Sequence, residues 1–238
     1  MASDQSKFWF GVVLGALSGV VVAQKAFNGS RMPNAKAWQQ LLEKKRGSIE
    51  AATLIARTQL RYAELVHQGI TFEDKALQFH LKMVILPGLA FYQTLRADGL
   101  SEEAALAEVD ALFEAHYETG LIKFIRRNHL LALIPGGFST FKRLVRTSMR
   151  LGFPSPAWKL EYTPEDEQLF GFDFHRCFYL DILTYYGAPE LTASFCKVDD
   201  ITMTTLPEDI RWKRTGTLGM GASRCDFRWE HIPLDDVR

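Results

Sequence analysis

Three cysteines, Cys177, Cys196 and Cys225, all fall between Phe172 and Trp229, with Asp181, Asp199, Asp200, Asp226 and Arg214 in the same stretch. Cys177 and Asp181 are four residues apart, and Cys196 precedes Asp199 and Asp200 by three and four. On helices these spacings put a thiol and a carboxylate on one face. Cys225 and Asp226 are adjacent, so on a strand they point to opposite faces. A thiol beside a carboxylate is a nucleophile beside a proton carrier. The same carboxylate raises the thiol's pKa, an effect that Lys213, Arg214 or a helix N-terminus must offset. A bound cation would favour both anions, and the three cysteines with an aspartate, or with His175 replacing one, make a tetrahedral zinc set. The cysteines are 19 and 29 residues apart. Zinc sites usually contain a closely spaced pair, so the spacing argues against zinc and no cofactor is expected.

Plainer readings stand beside these. Unpaired cysteines pack as small hydrophobes, and Cys177, amid Phe178, Tyr179 and Leu180, fits that role well. Asp226 before Phe227 suits a structural hydrogen-bonding partner. Gly219 and Gly221 either offer N–H groups to an anion or form a plain loop. His67, His80, His116 and His129 fall on expected helices without a metal-type partner four residues away, and read as structural or surface residues.

The elements that must position these groups are legible in part. Trp158–Tyr162 alternates like a strand, and Phe170–Phe174, Ile210–Thr215 and Cys225–Trp229 read as three more. Helices are expected over His175–Tyr186, ended by Gly187, and from Pro189 to about Thr205. Upstream, Ala35–His67 has helical periodicity with a bend or break at Gly47. Thr71-Phe72-Glu73-Asp74 opens a helix to about Arg96 with a kink at Pro87-Gly88, and Ser101 caps the next, to about Glu118. Residues 121–150 form a basic amphipathic pair split at Pro135-Gly136-Gly137. That pair suits an anionic membrane surface or an ordinary solvated face. The expected fold class is α+β: an N-terminal apolar helix, a helical bundle, then a small antiparallel sheet with two helices. The segments are 1–30, 31–152 and 153–238, the last two forming one globular unit.

Phe8–Ala23 is an uncharged run of 16 residues, near the length of a bilayer span. Gly11, Gly15 and Gly19 line one face of it, as in close helix–helix packing, and Phe8, Trp9 and Phe10 resemble an interfacial belt. No basic region precedes the run, which argues against a signal peptide. Lys25, Arg31, Lys36, Lys44, Lys45 and Arg46 follow it, so a spanning helix would leave the main domain in the cytoplasm, where thiols stay reduced. Lysine plus arginine and aspartate plus glutamate are equal at 28 each, and no basic stripe interleaves with aromatics. That excludes a nucleic-acid-binding surface from the expectation.

Further motifs are "ILPGLAFYQTLRADGLSEEAAL" (85–106), "GAPEL" (187–191), "CKVDD" (196–200) and "RTGTLGMGASRCDF" (214–227). With Cys177 they resemble the L-2-amino-thiazoline-4-carboxylic acid hydrolase family, over roughly residues 75–230. The resemblance implies hydrolysis of a cyclic amidine at a C–N bond. It implies Cys196 or Cys225 as nucleophile with Cys177 nearby, Asp199 handling protons, Arg214 clamping the substrate carboxylate and Thr217 hydrogen-bonding beside it.

Three functions follow. The first is a membrane-tethered hydrolase of this type acting on a small substrate. The second is a non-catalytic accessory subunit of a membrane complex, docked through the Gly11/Gly15/Gly19 face to a partner helix. The third is a carrier of an apolar ligand between helices and an aromatic-rich sheet.

Overall fold

A computed structural model of the chain describes residues 31–119, 123 and 137–232. Helix α1 (Ala35–Arg46) and helix α2 (Ser48–Gln68) are separate, because Gly47 sits at φ +79°, where a side chain is disfavoured. Asp74 caps α3 (Lys75–Phe79), its Oδ1 accepting from the Ala76 and Leu77 N–H groups at 2.8 and 3.0 Å. The cap is thus three residues later than the Thr71 expected, since the carboxylate takes two orphan donors at once.

The expected kink at Pro87 is replaced by a π-helical turn over His80–Ile85, in which the Leu86 N–H bonds to the Leu81 carbonyl. Proline lacks an N–H, and its ring would strike the carbonyl one α-helical turn back. The wider turn delivers Pro87 to the first turn of α4 (Leu86–Ala97), where no N–H is needed. Gly88 lets α4 approach its neighbours, for a Cβ there would lie 2.7 Å from the Phe195 ring and 2.9 Å from that of Phe113. Ser101 caps α5 (Glu102–Tyr117) through the Ala104 N–H. Helix α6 (Gly137–Gly152) buries Phe138, Phe141, Leu144 and Val145 and turns Arg143 and Arg150 to solvent. It is an ordinary amphipathic helix over a core.

The sheet is antiparallel throughout, in the order β1-β2-β4-β3, with β1 Lys159–Tyr162, β2 Leu169–Arg176, β3 Ile210–Lys213 and β4 Cys225–His231. The pairs Phe170–Trp229, Phe172–Phe227 and Phe174–Cys225 share one face and join the core. On the other face Arg228 reaches Asp173 at 2.7 Å over Gly171, where a Cβ would collide with the Arg228 side chain. Strand β2 runs two residues past the expected Phe170–Phe174 to include His175 and Arg176, which shortens the following helix, α7, to Phe178–Tyr185. Pro189–Leu191 is a short 3₁₀ turn leading into α8 (Thr192–Met203), which packs on α5.

One buried cluster runs from Trp38 in α1 through α4, α5 and α7 to Trp229 in β4. The α+β class stands. The apolar run Phe8–Ala23, with Gly11, Gly15 and Gly19, lies outside the described residues, as does most of the first basic helix expected before Pro135. Among the described residues no helix is long and apolar enough to cross a membrane.

Candidate active site

Four separate segments bring the three thiols into one electrostatically coupled group. Cys177 directly follows β2 and is the N-cap of α7, with the Tyr179 and Leu180 N–H groups facing its thiol but no capping bond of normal geometry. Cys196 lies on α8, one turn before Asp199. Cys225 opens β4 and accepts the Leu218 N–H at 3.2 Å. The loop between β3 and β4 lies on α8, its Gly219 N–H directed at the Cys196 thiol. A Cβ on Gly219 would sit 2.7 Å from Thr192 Cγ2 and 3.1 Å from Cys196 Sγ, so only glycine lets the loop lie this close. Two of its backbone N–H groups, those of Leu218 and Gly219, face sulfur.

Asp226 fixes that loop from the other side of β4. Its carboxylate accepts the Thr215 N–H at 2.9 Å, the Gly216 N–H at 2.8 Å and the Thr215 hydroxyl at 2.6 Å. Cys225 and Asp226 therefore divide as alternation requires, one toward the thiol group and one holding the loop.

Arg214 organises the acids. Its guanidinium, 6% exposed, donates to Asp199 Oδ2 at 2.9 Å, Asp200 Oδ2 at 2.7 Å and the Cys196 carbonyl at 2.8 Å, beside the Trp212 and Phe227 rings. These donors are engaged within the chain. Asp200 also accepts from Trp212 Nε1 and is exposed. Asp181 is drawn outward to Arg176 at 2.7 Å and does not pair with Cys177. Lys213 bonds to Glu230 on the surface.

The protonation states are unusual. Burial pushes the Asp199 carboxyl up to about 6, Arg214 pulling it down and Asp200 pushing it up. Yet 43% of the Asp199 side chain is accessible. Protein crowds around the Asp199 carboxylate while part of it stays open to water. Cys177, Cys196, Tyr117 and Tyr179 share this character: each is half-buried, and burial raises each. Cys177 rises to about 12 and the buried Cys225 to about 11, in both cases chiefly by desolvation. Cys196 is raised too, but the Thr217 hydroxyl, the Gly219 N–H and Arg214 oppose burial there. Thr217 is buried against Cys196, its hydroxyl making no hydrogen bond of good geometry.

Among the described residues no group of three or more histidine, cysteine or acidic side chains converges as a metal-binding set. The imagined set of three cysteines with Asp199 is coupled but not gathered around one point. His175 is elsewhere, exposed, with Nε2 3.3 Å from Glu161. A groove of about 420 Å³ between α6 and β1, lined by Arg146, Arg150, Leu160 and Tyr162 among others, contains none of the thiols.

Sequence reasoning passed over Tyr117, Tyr179 and His80. Burial raises both phenols first, with the charge of Asp199 adding to both and that of Cys177 and Cys196 adding to Tyr179. Tyr179 carried one local signal, its place two residues after Cys177. His80 carried none.

The sequence profile of the family described as L-2-amino-thiazoline-4-carboxylic acid hydrolase matches residues 78–229. The chain belongs to that family. The match begins just before His80 and ends at Trp229, so it takes in the π turn, the three thiols, Asp199 and Arg214, and leaves out α1 and α2. Comparison with curated proteins and with solved structures finds no match.

Proposed function

We propose that the chain is a hydrolase that opens a C–N bond at the amidine carbon of a small cyclic substrate, with Cys196 as nucleophile and Asp199 as proton carrier. The observation that carries this reading is Asp199, one turn from the Cys196 thiol, held by Arg214 and partly open to water, with its carboxyl pushed up to about 6. A carboxyl there changes charge near neutrality, as a general acid–base must. Because the Cys196 thiol is raised, its proton leaves as the S–C bond forms, and Asp199 accepts it. The same proton then goes to the departing nitrogen, and water, deprotonated by Asp199, releases the thiol. Arg214 is the positioning residue for Asp199, in place of the substrate clamp read from the sequence. The Thr217 hydroxyl, buried and without a good partner, supports a hydrogen bond to substrate. Cys225 and Cys177 are read as neighbours of the nucleophile that take no part in bond making.

Purified full-length chain would be incubated with L-2-amino-thiazoline-4-carboxylate and the product followed by mass spectrometry for gain of one water. Wild type should turn over, and Cys196→Ser and Asp199→Asn should each lose about 10²–10⁴-fold in kcat. Full turnover in both variants would refute these roles. Cys225→Ser and Cys177→Ser are expected to lose about tenfold or less, as neighbours of the chemistry.

The uncharged run Phe8–Ala23 supports a tether that holds this site at a membrane, with the domain on the cytoplasmic side. Fractionation of the full chain against one lacking residues 1–27 tests it. Retention of the shortened chain in the membrane fraction would remove the tether from the proposal. A partner helix that co-purifies only with the full chain, in a preparation without turnover, would favour the accessory role instead.

A further inference from the structure

Strand β1 is a four-residue edge strand, bonded on one side only, to β2. Its Leu160 and Tyr162 face the same side of the sheet as their partners Phe174 and Phe172. Helix α6 covers that side and seals against the middle of the sheet, where Phe141 meets Trp229 edge-on at 5.7 Å. Toward β1 it does not seal, and the groove of about 420 Å³ remains between them. Arg146, Met149, Arg150 and Phe153 succeed one another at helical spacing, so one stripe of α6 and its end faces the groove. Half of that stripe is cationic and half apolar. Met149, Phe153 and Leu160 are only half-buried, and Tyr162 is 37% exposed, so apolar surface is left wet.

The two arginines differ in their partners. Arg146 lies over the Tyr162 ring, its Cζ 4.2 Å from the centroid, and gives an N–H to Glu165 at 2.8 Å. Arg150, one turn further on, is exposed and has no ion pair or hydrogen bond among the described residues. Strand β1 offers it no acid, for Glu161 points to the opposite face and pairs with His175. Like charges one turn apart repel, and an anion between them relieves both. We propose that this groove binds a carboxylic acid with an apolar tail, of which a fatty acid is the simplest form. The carboxylate sits on the Arg150 guanidinium with Arg146 beside it, a fork suited to two parallel hydrogen bonds. The tail covers Met149, Phe153 and Leu160, removing their apolar surface from water. No thiol lines the groove, so this site stands or falls apart from the hydrolysis.

The test is calorimetric titration of the full-length chain with decanoate, kept below the concentration at which it forms micelles, and with decanol and acetate. Wild type should bind decanoate about tenfold or more tightly than decanol, which lacks the charge. Acetate, which lacks the tail, should give no measurable binding. Arg150→Ala should weaken decanoate by about tenfold and leave decanol unchanged. Leu160→Trp fills the groove and should abolish binding of both, with Arg150 still in place. If Leu160→Trp does not fold, Arg150→Ala decides alone, since its side chain is exposed and supports no packing. Decanoate binding that survives Arg150→Ala undiminished, equal affinity for decanol, or no binding at all overturns the proposal. Vesicles of phosphatidylcholine with phosphatidylglycerol are the last arm. Sedimentation with them that Arg150→Ala reduces, in a protein that takes up no decanoate, would assign these arginines to a bilayer surface and overturn the groove as a ligand site.

Discussion

Arg214 Nη1 donates to Asp199 Oδ2 at 2.9 Å from a guanidinium that is almost wholly enclosed. The carboxyl nevertheless stays near 6, because burial outweighs the cation beside it. Arg214→Lys keeps a positive charge but cannot serve three acceptors in one plane. The acidic limb of the kcat/KM–pH profile, set by Asp199 losing its proton, should move up by about one pH unit, and the maximum should fall about tenfold or more. An unmoved limb would mean that Asp199 is not the group titrating there. The apparent value belongs to Asp199 and its neighbours as a set, since thiols and acids here are coupled.

The thiols should be sluggish. Cys177 and Cys225 are pushed up to about 12 and 11 and Cys196 is raised as well, all by burial first. Thiolate is the reacting form toward iodoacetamide. At pH 7 each cysteine should alkylate about tenfold or more slower than free cysteine, by peptide mass spectrometry. Cys196, the half-buried thiol with the most opposing donors, should lead Cys225. A fast-reacting thiol at neutral pH would contradict the concerted proton transfer to Asp199.

Gly219→Ala should cost about 1–3 kcal/mol of stability, read by chemical denaturation. The added methyl would meet Thr192 Cγ2 at 2.7 Å and Cys196 Sγ at 3.1 Å. The loop must lift from α8 to admit it, which withdraws the Gly219 and Leu218 N–H groups from the two sulfurs. Activity should fall together with stability. A variant as stable and active as wild type would show that the loop's close approach is not needed.

His80 makes stability depend on pH. Its pKa is lowered by burial to about 4 in the folded chain, against about 6.5 when unfolded. Between those values the unfolded state binds the additional proton, so stability rises with pH in that window. The contribution is fully present above about 6.5, is lost as pH falls toward 4, and amounts to about 3 kcal/mol at most. Asp199 works in the opposite sense: raised to about 6, it favours the folded state below its ordinary carboxyl range and loses that contribution as pH rises through 6. Urea titrations at pH 7 and pH 4.5 should show a drop for wild type, and a smaller one for His80→Phe. Equal drops would mean that His80 is not the group responsible.

Local signals in the sequence carried part of this structure well. The cap at Ser101, the break at Gly47, the strand alternation and the opposite facing of Cys225 and Asp226 follow from spacing rules that act within a few residues. So does the neighbourhood of Cys196 and Asp199 on one helix. What spacing missed was decided by distant partners. Asp181 shares a helix face with Cys177 but is claimed by Arg176. Arg214, which the resemblance implies as a clamp for a substrate carboxylate, donates to Asp199, Asp200 and a backbone carbonyl, partners 14 to 18 residues away that no spacing rule names. His80 and Tyr179 meet across 99 residues of chain, and no local pattern encodes such a contact.

The π turn over His80–Ile85 amounts to an α-helix with one surplus residue. Deleting any one residue there would send a regular helix straight into Pro87 and swing everything upstream by about 100° around the axis. The imidazole would swing with it and abandon the phenol. A shortening of the chain by a single codon, far from any cysteine, would thus leave the Tyr179 hydroxyl without the acceptor that now takes its proton.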